Sequence, residues 1–202
     1  VDGQLVLGAN KARAGGRASV AKRGRCTVGV TTAGSSFQYV GDKMRAAEGI
    51  AEGDMTFKPL QRVGAIIGAL KSGQIDAWSI VPHIAKALAG SGAVHIIGDV
   101  ADYLPNYQVT TVFTSVQNAT KETQKTTDFM GAFSQGVDAF NAALVDKTQG
   151  DDARDDMVRL IHNYVYTDRP YERAAPSIIN GAMRLNANGA LNMASLQDQL
   201  SW

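Results

Sequence analysis

Hydrophobic and polar positions along the first half of the chain follow two periods in turn. Short apolar runs typical of strands come at Gln4–Leu7, Thr27–Thr31, Met55–Leu60, Gln74–Ile80 and Val94–Ile97. Between these runs, apolar residues recur at helical spacing, as at Phe37, Val40, Met44 and Ala47, and again at Val63, Ile66, Ile67 and Leu70. Glycine follows each of these two segments, and Pro82 stands where a further helix begins. The alternation predicts an α/β layer with a mainly parallel sheet.

The pattern changes in the second half of the chain. Val109–Phe113 is rich in β-branched residues and predicts one more strand. Apolar residues at helical spacing then predict a long amphipathic helix between Lys121 and Val145 and a second over Asp151–Tyr166, whose acidic first turn suits the helix dipole. Residues 171–202 predict further short helices. The order is therefore α/β first and helices last.

Composition narrows the class of protein. The 202 residues are 45% hydrophobic and 19% charged, which suits one globular domain or two small lobes of about 100 residues each. No apolar run is long enough to span a membrane as a helix. Cys26 is the only cysteine, so an intrachain disulfide and a thiolate metal cluster are excluded. The three histidines are scattered without acidic partners at metal spacing, and we predict neither a metal nor another cofactor.

Basic residues concentrate near the start of the chain. Residues 1–25 hold six lysines and arginines against Asp2 alone, a local net charge of +5. A basic segment of this kind could bind nucleic acid. However, KARAGGRASVAKRGR has no aromatic residue to stack on a base and no periodic apolar face. We interpret residues 11–25 as a solvated connection and predict no nucleic-acid partner.

Small and hydroxylic residues mark the passage from the second strand to the first helix, in the stretch Thr31–Ser36, TTAGSS. One interpretation is helix capping by Ser35 or Ser36. The other is a ligand site, because ligands of open α/β sheets bind beyond the carboxyl ends of strands, where helix N-termini favour anions. Hydroxyls at Thr32, Ser35 and Ser36 would add donors, and Gly34 would let the backbone approach a ligand. Both interpretations stay open, and no Gly-Lys-Ser/Thr follows as in a P-loop.

The segment LKSGQIDAWSIVPHIAKAL offers a second group of candidates. Asp76 could bind a ligand amine or orient a donor, and Trp78 could form an apolar wall, or the two could be a turn acceptor and a core residue. His83, in the first turn of the helix that Pro82 begins, could contact a ligand or be structural. No G-x-S-x-G motif, cysteine nucleophile motif or paired acid and base is present, so we do not predict an enzyme.

Four stretches in this order, VGVTTAGSS, LKSGQIDAWSIVPHIAKAL, YQVTTVFTS and the closing ASLQDQLSW, resemble solute-binding proteins of bacterial ABC importers. The most similar branch is that for nitrate, taurine, aliphatic sulfonates and thiamine precursors. The resemblance implies an α/β protein with the type II periplasmic-binding-protein (venus flytrap) fold. Residues 13–107 would form a complete second lobe. Residues 1–12 and 108–202 would supply crossing strands and the helical return to a partial first lobe, without its opening βαβ unit.

The resemblance also implies a function. The protein would bind a small polar or anionic solute (sulfonate, nitrate, carboxylate or pyrimidine type) between its lobes in the periplasm and deliver it to an ABC permease. The implied cleft residues are Thr32, Gly34, Ser35, Ser36, Phe37, Asp76, Trp78, Pro82 and His83. The alternative is the ligand-sensing effector domain of a LysR-type transcription regulator. Without the opening unit, Phe129, Phe133 and Phe140 need another partner, and self-association is one way to cover them.

Overall fold

The computed structural model describes the backbone of Val6–Asn10 and all of residues 25–202. Predictions for residues 1–5 and 11–24, among them most of the basic segment and the start of the first strand, lie outside the described residues. The chain divides into two compact units between Pro105 and Asn106. The sheet unit holds the described residues up to Pro105 together with Gln199–Trp202, and the helical unit is Asn106–Asp198. The predicted lobe boundaries stay predictions, since the first of them falls outside the described residues.

Five strands form the sheet of the sheet unit. They are β1 (Val6–Asn10), β2 (Cys26–Val30), β3 (Met55–Pro59), β4 (Ala77–Ile80) and β5 (Val94–Asp99), in the order β3-β2-β4-β1-β5. β2 is parallel to both β3 and β4, whereas β1 is antiparallel to its neighbours β4 and β5. The predicted parallel sheet is thus confirmed for four strands that run in one direction, with β1 opposed to them.

Helices follow three of these strands directly. They are α1 (Ser36–Ala47) after β2, α2 (Val63–Lys71) after β3 and α3 (Pro82–Gly90) after β4. Gly49 and Gly73, just beyond α1 and α2, have φ of 65° and 77°, the left-handed conformation in which helices commonly end. Because β2, β3 and β4 are parallel neighbours, the three helices begin at one edge of the sheet. We call it the carboxyl edge. Short 3₁₀ turns lie at Glu52–Asp54 and Val100–Asp102.

The core of the sheet unit lies on both sides of β4, which is buried along its whole length. One cluster gathers Trp78 and Ile80 with Ile66 and Leu70 of α2. A second cluster packs Ala77 against Met44 of α1 and apolar residues of β2 and β3. Successive residues of a strand point to opposite faces, so a strand that is buried at every residue needs cover on both.

The helical unit contains α4 (Val116–Lys121), α5 (Thr123–Phe140), α6 (Gly150–His162), α7 (Tyr171–Gly181) and the greater part of α8 (Met193–Ser201), whose residues from Gln199 onward are assigned to the sheet unit. A π-helical stretch lies at Asn141–Val145 and a 3₁₀ turn at Ala187–Gly189. Its small core joins Ala143 and Leu144 to Val158 of α6 and to Ala174 and Ile178 of α7. The side-chain amide of the buried Asn141 forms two hydrogen bonds with the backbone of Leu185. Asn141 Nδ2 donates to Leu185 O at 2.8 Å, and Leu185 N donates to Asn141 Oδ1 at 3.0 Å.

One prediction for the helical unit is wrong. Residues 109–115 form neither helix nor strand, although Val109–Phe113 is rich in β-branched residues. Such residues favour an extended chain, but a strand also needs a neighbour to complete its hydrogen-bond ladder. The long helix predicted from Lys121 to Val145 is confirmed as α5 over Thr123–Phe140, and the chain continues from it as a π-helix to Val145.

Candidate anion site at the carboxyl edge of the sheet

The turn between β2 and α1 is held by a reciprocal pair of side-chain hydrogen bonds. Ser35 Oγ accepts from Gln38 N at 3.4 Å, while Gln38 Oε1 accepts from Gly34 N at 3.0 Å. This arrangement is a variant of the capping box. Gly34 has φ of 71°, which a residue with a side chain adopts at a cost. The capping interpretation is therefore confirmed for Ser35.

Capping leaves several donors of the same turn open to a ligand. The first N–H groups of a helix have no intrahelical acceptor. Within the described residues, the N–H groups of Ser36 and Phe37 meet no protein acceptor. The side chains of Thr32 and Ser36 are exposed. The Ser35 hydroxyl, which accepts from Gln38, keeps its own proton to donate. The two interpretations of TTAGSS are thus compatible.

The loop from β3 to α2 lies directly beside this turn. Leu60 N donates to Val30 O at 2.9 Å, and Gln61 N donates to Thr31 O at 2.8 Å, so the parallel ladder continues past the ends of both strands. Arg62 follows as the N-cap of α2, with an exposed side chain and no acidic partner among the described residues. Gln61 has φ of 60°, a strained value for a non-glycine residue. A basic side chain thereby reaches the carboxyl edge.

Arg62 is absent from the residues predicted from sequence. Its position between a predicted strand and a predicted helix was a usable signal. Its nearness to Thr31 depends on β3 and β2 being neighbours, which only the strand order shows.

The passage from β4 to α3 completes the edge. Val81 is the N-cap of α3 and provides no side-chain cap, and the buried Pro82 opens the helix. His83 follows, half-buried, and burial lowers the pKa of its imidazole. At neutral pH the ring is therefore uncharged and carries one donor and one acceptor. The structure brings Pro82 and His83 to the same edge as the turn.

The helix ends at the carboxyl edge favour negative charge. None of α1, α2 and α3 has an acidic residue in its first turn. Each helix N-terminus carries the equivalent of roughly half a positive charge. Asp99 ends β5, but β1 and β4 separate that strand from β2. The positive ends of three neighbouring helices, with the guanidinium of Arg62 added, therefore favour an anion.

Asp76 lies at the opposite end of β4 from the carboxyl edge. Its Oδ2 accepts from Thr27 N at 2.8 Å, and its own N donates to Thr27 O at 2.8 Å, which places it at the amino end of β4. A strand rises about 3.3 Å per residue, so the five residues from Thr27 to Thr32 span roughly 16 Å. The carboxylate secures the start of β4 to β2. We therefore leave Asp76 out of the candidate site.

Trp78 supports the site from within the core. The side chain is fully buried, and its ring meets that of Phe37 edge to face with centroids 6.3 Å apart. Next to it, the buried Ser79 donates from Oγ to Phe37 O at 3.4 Å. Both contacts fix the first turn of α1 on β4. Trp78 is thus a packing residue beneath Phe37 rather than an exposed wall.

Solved structures show what this architecture is similar to. The aliphatic sulphonate binding protein SsuA from Escherichia coli is 17% identical over 99% of this chain and 60% of its own, with a TM-score of 0.67. The alkanesulfonate-binding protein SsuA from Xanthomonas axonopodis pv. citri, bound to MOPS, is 16% identical over 99% of this chain and 62% of its own, with a TM-score of 0.64. The chain has the periplasmic-binding-protein fold. It spans about 62% of the length of such solved chains.

A third neighbour with the periplasmic-binding-protein fold is the ligand-binding component of an ABC-type import system from Staphylococcus aureus with zinc bound. It is 10% identical over 99% of this chain and 62% of its own, with a TM-score of 0.67. In the described part of the present chain, no three His, Cys, Asp or Glu side chains gather as metal ligands. Neither the protein-family models nor the curated proteins give a match to this sequence. None of the described helices is long and apolar enough to cross a membrane.

Proposed function

We propose that the protein binds a small anionic solute at the carboxyl edge of its sheet unit, as the solute-binding component of an importer. One observation carries the proposal: three adjacent helices begin at this edge without an acidic residue in their first turns. A charge that the protein does not neutralise is available to a ligand. The importer role is supported by the fold and by its solved neighbours, two of which are sulfonate-binding proteins and one of which is the ligand-binding component of an ABC-type import system.

The donors of the turn suit a small oxyanion. Its oxygens would accept from the N–H groups of Ser36 and Phe37 and from the hydroxyls of Thr32 and Ser36. Hydrogen bonds to a charged group contribute about 1.5–3 kcal/mol each, more than those between neutral groups. Arg62 would add a planar set of donors matched to an oxyanion. Phe37, half-buried behind these donors, would contact the apolar part of the solute.

Among oxyanions we propose an alkanesulfonate. Two of the solved neighbours are described as binding aliphatic sulfonates. A sulfonate stays ionised across the physiological pH range and offers three acceptor oxygens to several donors at once. Delivery to a permease from the periplasm and binding between two lobes remain predictions that follow from the resemblance.

A thermal-shift series tests the proposal. The compounds are ethanesulfonate, butanesulfonate, taurine, nitrate and acetate, at low ionic strength because salt screens exposed charges. A ligand at a hundred times its Kd stabilises the native state by about 2.7 kcal/mol, which a melting curve resolves. We expect an alkanesulfonate to give the largest shift and acetate and nitrate smaller ones.

Arg62→Gln and Lys71→Gln form a matched pair for the same assay. Both side chains are exposed and lie at opposite ends of α2, Arg62 at the carboxyl edge and Lys71 at the other edge. Losing a charge-assisted hydrogen bond of about 1.5–3 kcal/mol weakens binding roughly 10- to 100-fold. We expect this loss for Arg62→Gln and none for Lys71→Gln. Equal loss in both variants would reduce the effect to net charge, and no shift with any compound would refute the proposed site.

A further inference from the structure

The side-chain amide of Gln38 lies at the turn between β2 and α1. Gln38 is the third residue of α1, and its backbone N donates to Ser35 Oγ at 3.4 Å. Its side-chain Oε1 accepts from Gly34 N at 3.0 Å. The residue is half-buried. Both its backbone and its side chain are therefore fixed on the turn that carries the candidate anion donors.

The hydrogen bond to Gly34 determines the orientation of the Gln38 amide. The N–H of Gly34 is a donor, so only the carbonyl oxygen of the amide can face it. Because Oε1 and Nε2 are bonded to the same carbon atom, Nε2 lies beside Oε1 at the turn, with no acceptor among the described residues. Two side-chain donors are thereby held at the same turn as the N–H groups of Ser36 and Phe37.

Residue 38 carries an amide where a carboxylate would stabilise the helix better. At the third position of a helix, both Glu and Gln can accept from a backbone N–H ahead of it. A carboxylate would form the stronger, charge-assisted hydrogen bond and would interact favourably with the positive end of the helix dipole. Asp42, one turn along α1, would repel it only in part, because Asp42 already accepts from Arg45 Nε and Trp202 Nε1, each at 3.2 Å. Helix stability alone therefore does not explain the amide.

An anion bound at the turn does explain the amide. A carboxylate at position 38 would lie beside the bound oxyanion, and like charges at close range repel. It would also lack the two N–H donors of Nε2. Exchanging Gln38 for glutamate thus keeps the acceptor that Gly34 N needs and reverses what the side chain offers to a ligand.

We propose that Gln38 is a specificity-determining residue of the carboxyl edge, where Oε1 fixes the turn and Nε2 donates to the bound oxyanion. The inference rests on the proposed function and adds a residue to that same site. An amide nitrogen donates and does not accept, so it suits a sulfonate, whose oxygens carry no proton. The uncharged side chain at position 38 keeps the positive end of α1 available to the ligand.

Gln38→Glu and Gln117→Glu form a matched pair that tests the inference. Each places a carboxylate in the first turn of a helix, α1 or α4, and adds one negative charge. Gln38→Glu should raise the Kd for ethanesulfonate about 10-fold or more, because a hydrogen bond to the anion is replaced by a like charge. Without ligand it should melt at the same temperature as the wild type or higher. Gln117→Glu should leave the Kd unchanged. Isothermal titration and scanning calorimetry measure the two quantities.

Each contrary result of this comparison has its own meaning. If ethanesulfonate binds the wild type and Gln38→Glu equally well, the anion site remains and Gln38 has no part in its specificity. Equal weakening in Gln38→Glu and Gln117→Glu reduces the effect to net charge and overturns the inference. A wild type that binds none of the compounds of the thermal-shift series refutes the site itself, and the inference with it.

Gln38→Met tests donation by Nε2 without adding a charge. Methionine is an unbranched residue without an amide, so the variant loses both the hydrogen bond to Gly34 and the two donors. It should melt below Gln38→Glu, yet bind ethanesulfonate more tightly than Gln38→Glu and more weakly than the wild type. A purely structural role of Gln38 predicts the same order for stability and binding. That order, or a Gln38→Met variant that binds as tightly as the wild type, would overturn the proposal.

Discussion

In the sheet unit all three helices, α1 to α3, begin without an acidic residue in the first turn. In the helical unit α6 begins with Asp151 and Asp152 and α7 with Glu172, whereas α4, α5 and α8 carry none. An acid in the first turn stabilises its own helix by typically 0.3–1 kcal/mol. α6 and α7 therefore compensate their dipoles internally. The helices of the carboxyl edge forgo that stabilisation, and the uncompensated charge is what a bound anion would use.

The two units also differ in how completely they bury their large apolar side chains. The sheet unit buries Trp78 completely and encloses β4 from both faces, whereas the helical unit leaves Phe113 and Phe129 mostly in water. A sheet with helices on both faces completes its own core. The helical unit has a smaller core, and several of its large apolar side chains are exposed. The comparison thus separates a unit with a closed core from one that leaves much of its apolar surface in water.

The largest effect should come from truncating one large aromatic residue in each unit. Trp78→Ala opens a cavity in a closed core and should lower the free energy of unfolding by about 3–5 kcal/mol. Phe129→Ala removes a ring that is 55% exposed and should cost less than about 1 kcal/mol. Urea titrations followed by far-UV circular dichroism measure both.

Trp78→Phe sharpens this first prediction. Within the described residues Trp78 Nε1 has no hydrogen-bond partner, and an unsatisfied buried donor costs about 1–3 kcal/mol. Removing it offsets part of the lost ring volume, so Trp78→Phe should cost much less than Trp78→Ala. Equal costs for Trp78→Ala and Phe129→Ala would contradict the contrast between the units.

A pH effect of intermediate size should come from Tyr107 in the helical unit. Its side chain is buried, and burial raises the pKa of Tyr107 from 10.0 to about 12. Because the unfolded chain loses the phenolic proton first, the stability that this group contributes is present below pH 10 and is lost as pH rises from 10 to 12. A shift of this size corresponds to about 2.7 kcal/mol.

Tyr107→Phe is the control for that measurement. The variant lacks the ionising hydroxyl, so its free energy of unfolding should fall less steeply between pH 10 and 12 than that of the wild type. Urea titrations at a series of pH values give both slopes. Parallel slopes would mean that the Tyr107 hydroxyl is no more buried in the folded protein than in the unfolded chain.

Sequence periodicity located the sheet unit well because each signal there was local. Phe37, Val40 and Met44 recur along one helix face, and the glycine at 49 marks the helix end. The structure confirms this helix as α1, Ser36–Ala47. β2 and β3 were predicted as closely. The spacing of apolar residues and the signals at helix ends depend only on residues close in sequence. Contacts with distant residues therefore changed these predicted elements little.

Sequence patterns were least informative where the outcome depends on distant residues. Val109–Phe113 has strand composition, but composition does not show whether a neighbouring strand is there to pair with it. Asp76 and Pro82 are close in sequence, yet β4 carries them to opposite edges of the sheet. Arg62 comes beside Thr31 only because β3 and β2 are neighbours. The register and the order of the strands determine where these residues lie in the structure, and the hydrophobic periodicity of the sequence reveals neither.

The smallest predicted effect compares two glycines inside helices, one in each unit. Gly41→Ala in α1 would place its Cβ 2.4 Å from Phe57 Cε1, whereas around Gly136 of α5 nothing lies within 4 Å of the added Cβ among the described residues. Both changes gain helix propensity of about 0.5–1 kcal/mol. Crowding against the Phe57 ring should outweigh this gain by about 1 kcal/mol, since overpacking costs about 1–3 kcal/mol.

Gly136→Ala should therefore raise the free energy of unfolding by about 0.5–1 kcal/mol, and Gly41→Ala should lower it by about 1 kcal/mol. Urea titrations of the two variants beside the wild type measure the difference. If both alanines stabilise equally, the Phe57 ring moves aside without cost, and the core between α1 and β3 is looser than the closed packing around β4. Opposite signs would show that the sheet unit has no spare volume at Gly41, while the surface of α5 accepts a methyl group freely.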